Sequence, residues 1–254
     1  MQIKILGWAG GIGENLRTTS FLIDDDMLID AGTGLGDVSL TEMAGIRHIL
    51  LTHSHMDHIV GLPLLADSMF GVHDEPIVVH ALEETIKALK AHIFNWVIWP
   101  DFSELPSKEA PTIRFEVMAP GDKVTIGSNV IEMIAVNHTV PGVGYCVSTA
   151  KSTVAFSGDT TTNDSLWNAL NQYDNIDMLF VESAFSNNNI EISKISKHYC
   201  PQLLGEDLLK LKHRPDIWLT HFKPGEEELI FKECQQALPD FNVGSLSGGE
   251  VFKL

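Results

Sequence analysis

The stretch "LTHSHMDHIVGLP", Leu51–Pro63, places His53, His55, Asp57 and His58 within residues 53–58. Imidazole and carboxylate are good donors to zinc, and less selectively to manganese or iron. His53 and His55 are two apart, so on an extended segment they point to the same side. Asp57 and His58 fall where the pattern turns helical. The four donors can therefore serve as two pairs, one for each of two neighbouring cations. A polar loop after a strand is the plain alternative, and the motif by itself leaves it open.

A two-metal site needs further donors at other strand ends. "AVNHTVPGVGY" offers His138 after an apolar run, "VAFSGDTT" offers Asp159 and "WLTHFKPG" offers His221. A carboxylate at Asp159 can bridge two ions. Singly, each has an ordinary reading, since Asp in a Gly-Asp-Thr turn is commonly a turn residue or a helix cap. Together they reach the donor count that a pair of metals requires. His48, His73, His80, His92 and His213 lie outside this set and read as core or surface residues.

Short β-type runs deliver these residues. Strands are predicted at Gln2–Trp8, Ser20–Ile23, Met27–Ala31, Ile49–Thr52 and Ile77–His80, with a helix over Asp57–Phe70. Leu82, Ile86, Leu89 and Ile93 form a helical stripe, with Glu83 and Glu84 in its first turn as the helix dipole prefers. Strands follow at Thr112–Met118, Val124–Ile126, Val130–Val136, Gly144–Ser148, Thr153–Phe156 and Met178–Val181. Ser165–Tyr173 reads as a helix, and Pro201 opens another that runs to about Lys212. Ile217–Thr220 is a strand, Glu226–Leu238 a helix and Glu250–Lys253 a last strand. Strands in two groups with interleaved helices imply α/β or α+β layering. No linker or low-complexity tract divides the chain, so residues 1–254 are expected to form one domain. "HILLTH" and "DIWLTH" both end a strand in Leu-Thr-His, an echo that could bring two histidines to one site.

The formal charge of −17 opposes a broad grip on nucleic acid or an anionic membrane. Bound divalent cations would still admit a small anionic substrate. Three cysteines without a CxxC pair do not form a disulfide framework, which points to a reducing compartment. With no signal-peptide pattern and no apolar run of membrane length, a cytoplasmic location is expected.

These spaced motifs resemble the metallo-β-lactamase fold superfamily, which carries H-x-H-x-D-H followed by single His, Asp and His ligands. The likeness runs from "LIDAGTG" at Leu28–Gly34 to "LTHFKPG" at Leu219–Gly225. It implies an α/β fold, the four-layer αββα sandwich, with metals at one edge of the paired sheets. It implies His53, His55 and His138 on one metal, Asp57, His58 and His221 on the other, and Asp159 bridging. Asp30 matches an acidic residue that lies behind the metals. "DMLFVESAF" and "SKHYCP" look like paired motifs of the phosphodiesterase branch, in which a Glu orients a His that protonates the leaving oxygen. Carried over, these are Glu182 and His198.

Within that branch, "TSFLIDDDMLIDAGTGLGDVSL", "LTHSHMDHIVGLPLLADS" and "IFNWVIWPDF" resemble class II 3′,5′-cyclic-nucleotide phosphodiesterases. Met56 and Met69 depart from that family's usual residues, and neither is a ligand. The resemblance implies two divalent cations, zinc first, with manganese or iron as alternatives. It also implies attack of a metal-bridging hydroxide on the phosphorus of cyclic AMP or cyclic GMP, giving the nucleoside 5′-monophosphate. Asp57 is expected to help orient the nucleophile as well as to bind metal. Trp96, Trp99, Phe102 and Tyr145 are candidates to stack on the base, or else to pack in a loop or at a homodimer contact. Lys223 and Arg17 are candidates to touch phosphate. Three other readings stay open: a tRNase Z-like endonuclease, a non-catalytic nucleotide or metal binder, and a thioesterase of the glyoxalase II type. A tRNase Z usually carries a long basic arm between the positions of His138 and Asp159 or elsewhere; here only residues 139–158 separate the two, and strands and turns account for them.

Overall fold

The computed structural model describes residues 1–254. The first sheet is built from β1 (Gln2–Gly7), β2 (Ser20–Ile23), β3 (Met27–Ile29), β4 (His48–Leu50), β5 (Ile77–Ala81) and β6 (Ile113–Val117). The second follows in sequence: β7 (Lys123–Ile126), β8 (Asn129–Ala135), β9 (Val143–Ser148), β10 (Thr153–Phe156), β11 (Met178–Glu182), β12 (Asp216–Thr220) and β13 (Val243–Ser245). The last strand, β14 (Val251–Lys253), returns to the first sheet and pairs antiparallel with β1. The spatial orders are β14-β1-β2-β3-β4-β5-β6 and β13-β12-β11-β10-β9-β8-β7. In both sheets an antiparallel half leads into a parallel half, which begins at β3 in one and at β10 in the other.

Residue alternation explains how the layers stack. Phe21, Ile23, Ile29 and Leu50 face the second sheet and join one core; Leu22, Leu28 and Ile49 face outward and join another. The Phe21 ring lies 5.5 Å from Phe156 and 5.3 Å from Phe180, so the sheets meet face to face. The outward core is covered by α3 (Gly61–Ser68) and α4 (Glu83–His92), through Leu62, Leu65, Ile86 and Leu89. The second sheet is covered by α5 (Ser165–Leu170), α7 (Pro201–Leu208) and α8 (Glu227–Ala237), through Trp167, Leu204 and Ile230. The expected αββα sandwich is therefore present. Strands covered on both faces, such as "SFLI", are fully buried, whereas "QIKILG" of β1 alternates.

Four features differ from the sequence pattern. The helix expected over Asp57–Phe70 is two pieces, α2 (Met56–Ile59) and α3, because the Gly61 N–H bonds Ala31 O at 2.7 Å instead of continuing the ladder. The four-residue α1 (Leu40–Met43) and the seven-residue α6 (Ile190–Ser196) were not anticipated. Nor was β13, whose residues are half-buried or exposed at a sheet edge. The three cysteines are free and buried. No helix is long and apolar enough to cross a membrane.

Candidate metal centre

The chemistry-bearing residues sit where strands end. Asp30 follows β3; His53 and His55 follow β4, with Asp57 and His58 in α2; Asp159 follows β10; Glu182 closes β11; His221 follows β12. His138 lies in the loop from β8 to β9. The Leu-Thr-His echo is real in space, since β4 and β12 each deliver a histidine here. It does not mark equivalent strands: β4 comes next to the first strand of its parallel half, and β12 two places from its own. Two backbone features allow the approach. Gly158 has φ +59, and a Cβ there would lie 2.5 Å from Val143 O. His221 itself has φ 64, held by its N–H donating to Trp8 O at 2.6 Å. A non-glycine residue in the left-handed region is strained, and the surroundings hold it there.

Two overlapping groups of donors result. One is His53, His55, His138 and Asp159; the other is Asp57, His58, Asp159 and His221. Asp159 Oδ2 lies 3.6 Å from His53 Nε2, 3.3 Å from His58 Nε2 and 3.2 Å from His221 Nε2. Asp57 Oδ2 lies 3.8 Å from both His58 Nε2 and His221 Nε2. His53 Nε2, His58 Nε2 and both ring nitrogens of His221 are buried with no hydrogen-bond partner. Unpaired buried polar atoms are costly. Several converging on one carboxylate form a donor set of the kind divalent cations take, so the residues fit a metal site.

Supporting hydrogen bonds aim the rings. His58 Nδ1 meets Asp30 Oδ2 at 2.6 Å, and Thr52 donates to Asp30 from both N–H and Oγ1 at 2.8 Å. Thr52 Oγ1 in turn meets His53 Nδ1 at 3.0 Å. Asp30 thus lies behind the cluster and leaves the Nε2 lone pairs of His53 and His58 facing inward. His138 Nδ1 donates to Lys197 O at 3.1 Å, which turns its Nε2 to within 3.1 Å of His55 Nδ1. Such outer partners fix tautomer and orientation in metal sites.

Electrostatics favour neutral rings at most positions. Burial drives His53 and His221 well below the usual histidine value, brings His138 down to about 4 and lowers His55. Neutral imidazole is the ligating form. His58 goes the other way: burial opposes its charge, but Asp159 and Asp30 outweigh burial and raise it well above. Asp159 is held well below the carboxylate range, because His221 and His58 outweigh the penalty of burial. The Asp159 carboxylate is thus kept ionised in the middle of the cluster.

Glu182 and His198 adjoin this cluster, and Asp159, Glu182 and His198 form a third close group. Glu182 is fully buried and accepts from Thr160 N at 2.8 Å, Ala184 N at 3.1 Å and Tyr199 N at 3.2 Å. Its remaining partner is His198 Nδ1 at 2.8 Å. Burial opposes a charge on His198, but Glu182 outweighs it and raises the ring above its ordinary value. His198 stacks on His221, centroids 5.0 Å apart and planes at 22°.

All the expected site residues thus come together. Of the candidates for base and phosphate contact, Tyr145, Phe102 and Arg17 are engaged elsewhere, whereas Lys223 lies close enough to His198 and His221 for its charge to lower both. Tyr145 is fully buried, its hydroxyl spent on Leu51 O at 2.8 Å, and Phe102 is core packing against Phe70. Arg17 pairs with Asp37, and Lys223 Nζ donates to Gly10 O. Trp96 is exposed in its loop. Thr52, Thr160 and Lys197 are structural partners of the site that spacing did not reveal. Only their adjacency to His53, Asp159 and His198 could have flagged them.

Fold and site together define a protein of the metallo-hydrolase fold with a His/Asp cluster able to hold metal ions. Residues 26–222 match the beta-lactamase superfamily domain, and the chain belongs to that family. Its sandwich is the metallo-β-lactamase fold. The chain is similar to a probable 3′,5′-cyclic-nucleotide phosphodiesterase of Yersinia pestis, 23% identical over 92% of this chain and 83% of the relative. It is also similar to a ribonuclease Z of Clostridium beijerinckii, 30% identical over 58% of this chain and 48% of the relative. Among solved structures, unliganded yeast PDE1 superposes with a TM-score of 0.83 at 18% identity, covering 100% of this chain and 99% of that one.

Proposed function

We propose that residues 1–254 form a dinuclear-metal phosphodiesterase that hydrolyses 3′,5′-cyclic nucleotides to nucleoside 5′-monophosphates. The observation that carries this reading is one buried carboxylate oxygen, Asp159 Oδ2, facing three imidazoles while a Glu182–His198 pair adjoins it. His53, His55 and His138 would hold one cation and Asp57, His58 and His221 the other, with Asp159 between them; zinc suits the donors best, with manganese or iron as alternatives. Divalent cations there supply Lewis acidity, offsetting phosphate charge and lowering the pKa of water towards neutrality.

The chain's own groups do the rest. Asp57, partly exposed beside the cluster, orients the attacking water. Glu182 is saturated by backbone N–H groups on three sides, so it cannot swing, and it fixes His198 by Nδ1. His198 Nε2 therefore carries the transferable proton. Water adds to phosphorus and gives up a proton to solvent, the bond to the ribose 3′ oxygen breaks, and His198 protonates that oxygen and is then reprotonated from solvent. Glu182 raises His198 above its ordinary value, so the ring keeps its proton to higher pH than a free imidazole, which suits a general acid.

The Yersinia pestis relative supports the cyclic-nucleotide substrate over an RNA one. The charge of −17 also opposes RNA, and residues 139–158 are occupied by β9, β10 and their turns. The test is a hydrolysis panel with zinc-, manganese- and iron-loaded protein. It comprises 3′,5′- and 2′,3′-cyclic nucleotides, bis(p-nitrophenyl) phosphate, pre-tRNA and a glutathione thioester. Release of nucleoside 5′-monophosphate from the 3′,5′-cyclic nucleotides is expected. Cleavage of pre-tRNA with the cyclic nucleotides untouched favours the ribonuclease Z reading.

A further inference from the structure

The segment Ile190–Ser196, Lys197, His198 has a construction that the proposed reaction does not by itself require. α6 ends with Lys197 in the left-handed conformation, φ 53 and ψ 50. The Lys197 N–H donates to Lys194 O at 3.3 Å and the His198 N–H to Ser193 O at 3.0 Å. That pair of bonds is a Schellman cap, and it presents His198 as the residue just beyond the helix. Ser193 Oγ adds a bond to His198 O at 2.7 Å.

Lys197 also grips a second site residue, twice. Its carbonyl accepts from His138 Nδ1 at 3.1 Å, and its Nζ donates to His138 O at 3.0 Å. Ring and main chain of His138 are thus both fixed by one residue. Apolar packing does little to hold α6 itself: Ser193 is its one buried residue, while Ile192 and Ile195 are exposed. Glycine is the residue that a left-handed cap favours, because it has no Cβ to strain. A lysine at that position gives up backbone comfort, and what it gains is the ammonium latch on His138.

We propose that Lys197 is a positioning residue that locks the cation ligand His138 and the proton donor His198 into one unit. The inference rests on the reading of His138 as a ligand. It accounts for the lysine: the carbonyl aims the ring, the ammonium holds the loop that carries it, and the cap places His198 in register with both.

Lys197→Gly separates positioning from folding. It keeps the carbonyl and suits the left-handed backbone, and it deletes only the latch. Metal-free Lys197→Gly should unfold at the wild-type temperature or above. It should bind zinc about tenfold more weakly, as loss of an outer partner does, and its kcat on 3′,5′-cyclic AMP should fall while KM changes little. Lys197→Arg, which keeps a cation on a long stem, should recover most of both losses. Wild-type zinc affinity and kcat in Lys197→Gly overturn the inference, and so does a loss matched by a lower unfolding temperature. His138→Ala distinguishes the two levels. If it binds zinc as the wild type does, the ligand assignment fails. If it loses zinc while Lys197→Gly does not, only the latch fails.

Discussion

β4 has histidines at its start and beyond its end, and the two sets behave differently. At its start, His48 Nδ1 faces His80 Nε2 of β5 at 3.2 Å, the rings stacked at 24°. Past its end, His53, His55 and His58 converge with His138 and His221 on Asp159. Burial lowers His48 and brings His80 down to about 4, much as it lowers His53 and His221. Depressed titration is therefore not what separates a site from a core. The separation lies in partners. The His48–His80 pair satisfies its facing nitrogens internally and has no carboxylate at its centre. The second set leaves buried nitrogens unpaired around a carboxylate that is itself held ionised. Such a cluster is able to hold a cation, and the His48–His80 pair has no comparable donor set.

The largest expected effect is at the centre of the second set. Asp159→Ala should reduce turnover by more than the roughly 100-fold that losing an outer partner of a metal costs, with loss of bound cation seen by elemental analysis. Full activity in the metal-depleted variant would remove the cluster from the chemistry. Next comes His198→Ala, which should keep its cations and lose about 10²–10⁴ in kcat. Unchanged kcat would show that another group supplies the proton.

The smallest effect concerns the pair at the start of β4. The folded protein holds His80 near 4, below its ordinary 6.5. The unfolded chain therefore binds that proton first as pH falls, and stability is lost between pH 6.5 and pH 4. The loss attributable to His80 is roughly 3 kcal/mol at most, from about 1.4 kcal/mol per pH unit. Urea midpoints of wild type and His80→Gln should converge as pH falls across that range, with cation content equal in both. Midpoints that stay parallel would mean that His80 does not titrate as its burial requires.

How much of this was legible in the sequence follows from the same contrast. His53, His55, Asp57, His58, His138, Asp159 and His221 could be read because strand ends are marked by apolar runs, and ligand residue types are rare there by chance. His80 could be set aside because it sits within such a run. For Tyr145 and Phe102 both stacking and packing stayed open, and they pack; aromatic type does not say which face of a strand or loop a ring occupies. α6 escaped because its isoleucines, Ile192 and Ile195, point to solvent, so no apolar stripe marks it. Lys197 escaped for a different reason: its carbonyl, its left-handed backbone and the reach of its ammonium to His138 O are set by the fold, and a lysine in the sequence does not say where its long stem ends.

The most direct test of the account is a zinc titration of metal-free protein against 3′,5′-cyclic AMP, with bound metal and product measured together. The account predicts nucleoside 5′-monophosphate release that rises as two zinc ions per chain are bound. A chain that holds two zinc ions and leaves 3′,5′-cyclic AMP intact would contradict it.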